Sequence, residues 1–130
     1  MINIILLNLF ITKKGSATDA LVWLKRGLWL FCLFLSNIVK GERNPAKAFN
    51  ASYEIKLKPH HNFIVRNLFK AGLLAFPGFD TLINTLLYEH NPEDGEKESV
   101  LIKHVDDYIK SMMPILENLD KFYNQNGIAN

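Results

Sequence analysis

Cysteine is almost absent from this chain of 130 residues, in which Cys32 is the single example. One cysteine cannot form an internal disulfide, whereas small domains of oxidising compartments are usually stabilised by several. The composition therefore favours an intracellular protein. Cys32 itself lies in the apolar stretch of residues 28–35 and is predicted to be a small core residue.

The two most apolar runs of the chain are each short for a membrane span. Residues 2–12 are strongly apolar, but no basic residues precede them, and they fall well short of the roughly 20 residues that a spanning helix needs. Residues 28–39 are bounded by Lys25, Arg26 and Lys40 and are too short for the same reason. We expect no transmembrane segment and interpret residues 28–39 as part of a core helix.

Recognisable catalytic motifs are lacking as well, because the chain contains no glycine-rich phosphate loop and no nucleophile motif. His60 and His61 are adjacent, so on a helix they point about 100° apart, whereas a helical metal pair is spaced by four residues. His104 has Asp106 and Asp107 nearby, a combination typical of a solvated helix surface. We therefore predict a binding protein rather than an enzyme, with no metal and no cofactor.

The charges that are present are unevenly distributed. Residues 1–79 contain 11 Lys and Arg against 3 Asp and Glu, and residues 80–130 contain 4 against 10. The basic part is suited to anionic lipid headgroups, near which each Lys or Arg contributes about 1 kcal/mol. A solvated basic face with no partner would have the same pattern, so charge alone leaves the partner open.

Apolar residues recur at helical spacing through most of the chain, and no alternating strand pattern or internal repeat competes with them. Ser16 or Thr18 can cap the first helix, and Gly41 and Pro59 mark helix ends. The prediction is an all-α chain of five helices. They span residues 16 or 18 to 39, 46–58, 60–75, 80–88 and 96–126.

Two of these helices are predicted to be amphipathic. In the first, Trp23, Leu30 and Phe34 share a broad apolar face, and Lys25 and Arg26 belong to a narrower polar stripe. In the last, apolar residues trace one face at three- and four-residue spacing, and Pro114 allows a kink. The residues of that face are Leu101, Val105, Tyr108, Met112, Leu116, Leu119 and Phe122.

Two short stretches carry a resemblance to a known family. Residues 23–28 read Trp-Leu-Lys-Arg-Gly-Leu, and residues 60–65 read His-His-Asn-Phe-Ile-Val. Together they resemble the ligand-binding centre of the glycolipid transfer protein family, and the likeness extends from about Thr18 to about Asn126. It implies part of a two-layer, eight-helix sandwich, with about five helices present, in a protein that moves glycosphingolipids between membranes without covalent chemistry.

The resemblance assigns functional roles to two residues whose roles cannot be decided from residue type alone. On its own, Trp23 is more typical of a core residue, and His61 of a structural histidine. By resemblance, Trp23 stacks against the first sugar ring of the lipid, and His61 donates a hydrogen bond to the acyl-amide carbonyl of the ceramide. The family branch that carries phosphorylated ceramide lacks this tryptophan, so Trp23 favours a sugar headgroup.

Further positions match the family's hydrocarbon pocket and membrane-contact surface. Phe63, Ile64 and Asn67 match residues that touch the membrane in the family. At the position of Phe63 the family more often has a tryptophan. Both phenylalanine and tryptophan can insert at a membrane interface. We expect a cytoplasmic protein that contacts membranes transiently and peripherally, with a glycosphingolipid ligand and no nucleic-acid partner. Four apolar residues, each also typical of a plain core, match the pocket lining: Leu30, Phe34, Leu57 and Phe69.

The family pattern is incomplete in this sequence. Its other headgroup ligands lie in an Asp-x-x-x-Asn-x-x-Lys pattern on an earlier helix, which residues 1–17 do not contain, and a family tyrosine at the C-terminus has no match. We expect residues 1–16 to be an apolar segment of unclear role and residues 17–130 to form the C-terminal two-thirds of the domain. Two alternatives to transfer stay open: a lipid-sensing or membrane-interaction module, and a truncated remnant that transfers nothing.

Overall fold

The computed structural model describes residues 17–88 and 92–128, and within them every regular element is helical. The predicted all-α class is therefore confirmed, as are the five helices. The predicted N-terminal segment, residues 1–16, lies outside the described residues. The helices are α1 (Ala17–Val39), α2 (Pro45–Lys56), α3 (Phe63–Leu73), α4 (Phe79–Leu86) and α5 (Lys97–Gln125), with short 3-10 turns at Lys58–His60 and Asp94–Glu96.

Local side-chain chemistry accounts for the helix boundaries. After α1 the chain turns at Gly41, whose φ of 127° is accessible to glycine at little cost. Asn44 caps α2 by accepting a hydrogen bond from the backbone N–H of Lys47 at 3.3 Å, and Pro45 occupies the first helical position. The turn between α1 and α2 is thus short and well defined.

The start of α3 differs from the sequence prediction. The third helix was expected to begin at His60, but α3 begins at Phe63. Pro59 lies in the 3-10 turn Lys58–His60, and Asn62 caps α3 by accepting from the backbone N–H of Val65 at 2.9 Å. His60 and His61 therefore lie before the helix rather than on it.

The core lies where α1 packs against α2, with α4 and α5 closing it. Buried residues from all four helices form one cluster, and Ile38 of α1 is completely buried within it. At the contact between α1 and α2, Asn37 Nδ2 donates to Ala48 O at 3.3 Å and to Ser52 Oγ at 3.2 Å. The other members of the cluster are Phe34, Leu35, Ala48, Ile83, Leu87, Leu101 and Val105.

α1 is long and apolar enough to cross a membrane by length and composition. In this fold, however, it packs against both α2 and α5, as expected of a core helix. The predicted polar stripe of α1 is wrong in one respect, because Lys25 is only 4% exposed. Its ammonium forms an ion pair with Asp120 of α5, which explains why a charged residue can be buried there.

α5 runs without interruption through Pro114, although a proline at this position removes one backbone hydrogen bond. Its buried residues are Leu101, Val105, Leu116 and Tyr123. Phe122, which was predicted to belong to the buried face, is exposed instead. The buried side of α5 thus ends on Tyr123, beside the ion pair of Lys25.

Candidate functional site

Trp23 lies at a point where side chains from two separate sequence motifs meet. The residue is 43% exposed, and the ring of His61 stacks on its indole with centroids 5.6 Å apart and planes 24° apart. His60 meets the same indole edge-on at 6.3 Å, and the guanidinium carbon of Arg26 lies 4.8 Å from the ring centroid. The structure therefore brings the two predicted ligand residues into direct contact.

The imidazole of His61 is held by a tyrosine that the sequence analysis did not identify. The hydroxyl of Tyr53, in α2, lies 2.8 Å from Nδ1 of His61. Burial raises the pKa of Tyr53, with nearby Arg66 opposing the shift, so the phenol is protonated at neutral pH. When this phenol donates to Nδ1, the neutral imidazole carries its proton on Nε2, which can then donate to a ligand.

A row of aromatic rings leads from His61 into the core. Tyr53 stacks on Phe69 of α3 with centroids 3.5 Å apart, and Phe69 stacks on Phe49 at 5.4 Å. Phe49 in turn contacts Phe34 of α1 edge-on at 5.3 Å. Two of the predicted pocket residues, Phe34 and Phe69, are thus joined through Phe49.

The four predicted pocket residues differ in their burial. Leu30 and Phe34 lie in the interior of the fold, whereas Leu57 and Phe69 are half-buried. Leu57 is the residue immediately after α2, where its backbone N–H bonds to Tyr53 O. A cleft of about 280 Å³ between α2 and α3 is lined by Tyr53, Phe63 and Phe69 together with six polar or charged residues.

α3 presents an apolar surface next to basic groups. None of its residues is buried, and Phe63 and Ile64 are 77% and 69% exposed. Arg66 lines a cleft together with Phe63, and its guanidinium donates to Lys58 O at 2.7 and 3.0 Å. The third residue predicted to touch membranes, Asn67, is exposed and lines the same cleft as Phe63.

A second group of side chains adjoins Trp23. A recess of about 150 Å³, which we call the cationic recess, is lined by Lys25, Arg26, Lys56, His60 and Asp120, together with Trp29 and Ile55. The ammonium of Lys56 lies 3.9 Å from the centroid of Trp29. Loss of solvent and then the neighbouring Arg26 lower the pKa of His60. Trp23 adjoins this recess, because Arg26 and His60 both line the recess and contact the indole.

No cluster of three or more histidine, cysteine, aspartate or glutamate side chains that could hold a metal occurs in residues 17–88 and 92–128. The functional residues that sequence reasoning missed are Tyr53, Lys56 and Asp120. Tyr53 precedes His61 by eight residues, but the chain changes direction at Pro59, so helical periodicity gave no signal of their contact.

Comparisons with known proteins agree with this architecture. The glycolipid transfer protein family matches residues 6–88, which is more than half of the chain. The sequence is 32% identical over 116 residues to the human pleckstrin homology domain-containing family A member 8, covering 88% of this chain and 22% of that protein. It is 30% identical over 118 residues to the glycolipid transfer protein of Xenopus tropicalis, covering 86% and 54%.

Solved structures of related proteins have the same arrangement of helices. A structure of FAPP2, described as selecting simple glycosphingolipids with the GLTP fold, matches with a TM-score of 0.84 and 29% identity over 92% of this chain and 57% of its own. Arabidopsis ACD11 in complex with a ceramide-1-phosphate matches with a TM-score of 0.76 and 26% identity, covering 92% and 56%.

The helices and their arrangement therefore place the chain among all-α proteins of the GLTP fold. By sequence, the chain belongs to the glycolipid transfer protein family. It spans about half the length of the FAPP2 and ACD11 chains and of the Xenopus protein, and about a fifth of the human relative.

Proposed function

We propose that this chain binds a glycosphingolipid non-covalently, extracts it at the cytoplasmic surface of a membrane and releases it at another membrane. The observation that carries the proposal is the contact of the half-exposed Trp23 with His61, whose Nδ1 is hydrogen-bonded to Tyr53. The likeness to a FAPP2 structure described as selecting simple glycosphingolipids supports the same ligand class. The proposed activity involves no covalent step.

Trp23 would bind the first sugar ring. The C–H face of a pyranose is apolar and matches an indole face, and Trp23 is open enough to offer one. The guanidinium of Arg26 covers part of this indole. As the end of a flexible side chain, it is the group that a sugar ring would displace.

His61 would bind the ceramide amide. With Nδ1 accepting from the Tyr53 hydroxyl, Nε2–H is left as a donor for the acyl carbonyl. A buried carbonyl without a hydrogen-bond partner costs about 1 to 3 kcal/mol, so this contact would favour a lipid with an amide linkage. Tyr53 is then a positioning residue, because it acts on the ligand through His61.

The hydrocarbon chains would enter along the aromatic row. Each methylene removed from water contributes about 0.8 kcal/mol, so a carrier must offer a continuous apolar path. Phe69 and Phe34 lie at the two ends of such a path, with Phe49 between them. Leu30 and Leu57 are the other two residues that we assign to the lining.

α3 would be the membrane-contact element. Phe63 and Ile64 are among the most exposed apolar side chains of the described residues, and Asn67 lies one turn further on. Arg66 and Lys70 on the same helix can approach anionic headgroups. The contact is peripheral, because the helix lies on the surface of the fold.

The test is transfer of a fluorescent galactosylceramide between donor and acceptor vesicles. Trp23→Ala should lower the transfer rate about tenfold, since the loss of about 1.5 kcal/mol of aromatic stacking corresponds to that factor. Phe122→Ala is the matched control, because Phe122 is 45% exposed and lies on α5. A thermal melt of each variant separates a binding defect from a folding defect.

The outcomes distinguish three functions. Transfer that needs Trp23 but not Phe122 supports a lipid carrier. A folded chain that binds vesicles without moving lipid between them would be a lipid-sensing module, and a chain without a cooperative melt would be a remnant. Either of the last two results contradicts the proposal.

The assigned role of Tyr53 predicts the effect of Tyr53→Phe. The variant loses the hydroxyl that we assign as the donor to Nδ1, so His61 should no longer be restricted to the tautomer with a proton on Nε2. We expect a larger share of the Nδ1–H tautomer and a transfer rate about threefold to tenfold lower. The tautomer ratio is read from ¹⁵N chemical shifts of the labelled imidazole.

Tyr108→Phe is the control for this experiment. Tyr108 is also partly buried, but it contacts Phe31 in α1 rather than His61. Its removal should leave the tautomer of His61 unchanged. An unchanged tautomer ratio in Tyr53→Phe would show that the tyrosine does not orient the imidazole.

A further inference from the structure

The cationic recess has more positive than negative charge. Lys25, Arg26 and Lys56 contribute three positive charges and Asp120 one negative charge, which leaves a net charge of +2. Asp120 is committed to Lys25, with which it forms the ion pair. Within the described residues, neither Arg26 nor Lys56 has a carboxylate within 4.0 Å.

The recess also contains an unused donor. Nε of Arg26 is buried and has no hydrogen-bond partner among the described residues. Lys56 lies against the indole of Trp29, and burial lowers its pKa, with Asp120 opposing the shift and Lys25 adding to it. A buried donor without a partner is unfavourable, and an incoming acceptor relieves this cost. Together with the excess positive charge, this favours a negatively charged acceptor.

The size of the recess fits one small oxyanion. Its volume of about 150 Å³ is about five times the roughly 30 Å³ that a water molecule occupies in the liquid. That is enough for a tetrahedral sulfate or phosphate group. Guanidinium and ammonium groups bind such oxyanions by charge-assisted hydrogen bonds.

The recess adjoins the proposed sugar platform. Arg26 and His60, which line the recess, both contact the indole of Trp23. A substituent on a sugar ring stacked on Trp23 can therefore reach the recess from its side. The same lipid would then be held by the indole and by the cations.

We propose that the cationic recess binds a sulfate or phosphate group attached to the headgroup of the carried lipid, so that the chain prefers an acidic glycosphingolipid to its neutral parent. This inference rests on the proposed function, since it places the sugar on Trp23. Arg26 and Lys56 are the residues that distinguish the acidic lipid from its neutral parent. Lys25 forms the ion pair with Asp120 and so offsets its negative charge.

The experiment measures binding of two lipids that differ only in the anion. Galactosylceramide and its 3-O-sulfated form are titrated in zwitterionic vesicles, with the intrinsic tryptophan fluorescence as readout. The original chain should bind the sulfated lipid about tenfold more tightly, which is the gain expected of a charge-assisted hydrogen bond. Lys56→Gln should reduce this preference to about threefold or less, with binding of galactosylceramide little changed. Arg26→Gln should reduce the ratio of the two affinities to the same extent, whatever its effect on galactosylceramide alone, because Arg26 also contacts the indole of Trp23.

Lys47→Gln is the matched control, because Lys47 is also in α2 but its side chain is 75% exposed and far along the helix. It should leave the preference unchanged. Inorganic sulfate at increasing concentration provides a further arm. It should compete weakly with the sulfated lipid and not with galactosylceramide.

The results overturn the two proposals separately. The recess assignment is overturned if the two lipids bind equally well. It is also overturned if the preference survives both Lys56→Gln and Arg26→Gln. Neither result contradicts the proposed transfer of galactosylceramide. Inorganic sulfate that binds as tightly as the sulfated lipid would show an anion site independent of the carried lipid and would also overturn the recess assignment. Loss of galactosylceramide transfer with the sulfate preference intact would instead contradict the transfer function.

Discussion

Replacing Asp120 with alanine should lower the free energy of unfolding by about 3 kcal/mol, which is the lower end of the loss seen when one partner of a buried ion pair is removed. Lys25 is 4% exposed and loses the carboxylate that Asp120 supplies. Arg26 and Lys56 line the same recess, so the remaining charges there are all positive. Urea unfolding followed by circular dichroism measures the difference.

Two further variants give this prediction its controls. Asp107→Ala removes an exposed carboxylate from the same helix and should change stability by no more than about 0.5 kcal/mol. Lys25→Met combined with Asp120→Leu removes both charges and should recover most of the stability, because an apolar pair of similar size avoids the desolvation cost. A loss below about 1 kcal/mol in Asp120→Ala would mean that the ion pair contributes little.

Replacing Phe63 and Ile64 together with aspartate should reduce partitioning onto anionic vesicles by at least about 100-fold from the lost apolar contact alone, and the two added negative charges should lower it further. Burial of a Phe or Ile side chain contributes about 1.5 to 3 kcal/mol, so the loss of two amounts to at least about 3 kcal/mol. Both side chains are exposed, so the fold loses little when they change. Sedimentation of the chain with vesicles of phosphatidylcholine and phosphatidylserine gives the partition coefficient.

The control for the membrane variant carries the same change of charge elsewhere. Ile115 and Phe122 are exposed apolar residues of α5, and their replacement with aspartate adds the same two negative charges. Partitioning should then fall only by the electrostatic part, about 1 kcal/mol for each charge near the surface. Equal losses in the two double variants would show that α3 is not the membrane-contact element.

The sequence was sufficient for the fold class because the local signals agreed with one another. Gly41, the cap residue Asn44 and Pro45 at the first position of α2 define one turn, and helical spacing of apolar residues defines the long helices α1 and α5. The start of α3 was misplaced because Pro59 was interpreted as the residue before a helix. It belongs to a 3-10 turn, and the helix begins only after the cap at Asn62.

The site was only partly predictable. Trp23 and His61 were identified by family resemblance, and the stacking of their rings depends on how α1 meets the turn before α3. Lys25 was placed on a polar stripe because lysine is rarely buried. Its burial depends on Asp120, which is 95 residues away in sequence and carries no motif. Such pairs arise from packing between helices, which periodicity within one helix does not encode.

The position of α3 links two parts of the proposed site. Phe69 of this helix stacks on Tyr53, and Arg66 donates two hydrogen bonds to Lys58 O, so ring stacking and hydrogen bonds both attach the helix to the rest of the described fold. Only Asn62 separates His61 from Phe63 in sequence, so the proposed membrane contact and the proposed amide ligand are two residues apart. A lipid leaving a bilayer touched by Phe63 would therefore meet the imidazole close to the membrane surface, before its hydrocarbon chains reach the interior of the fold.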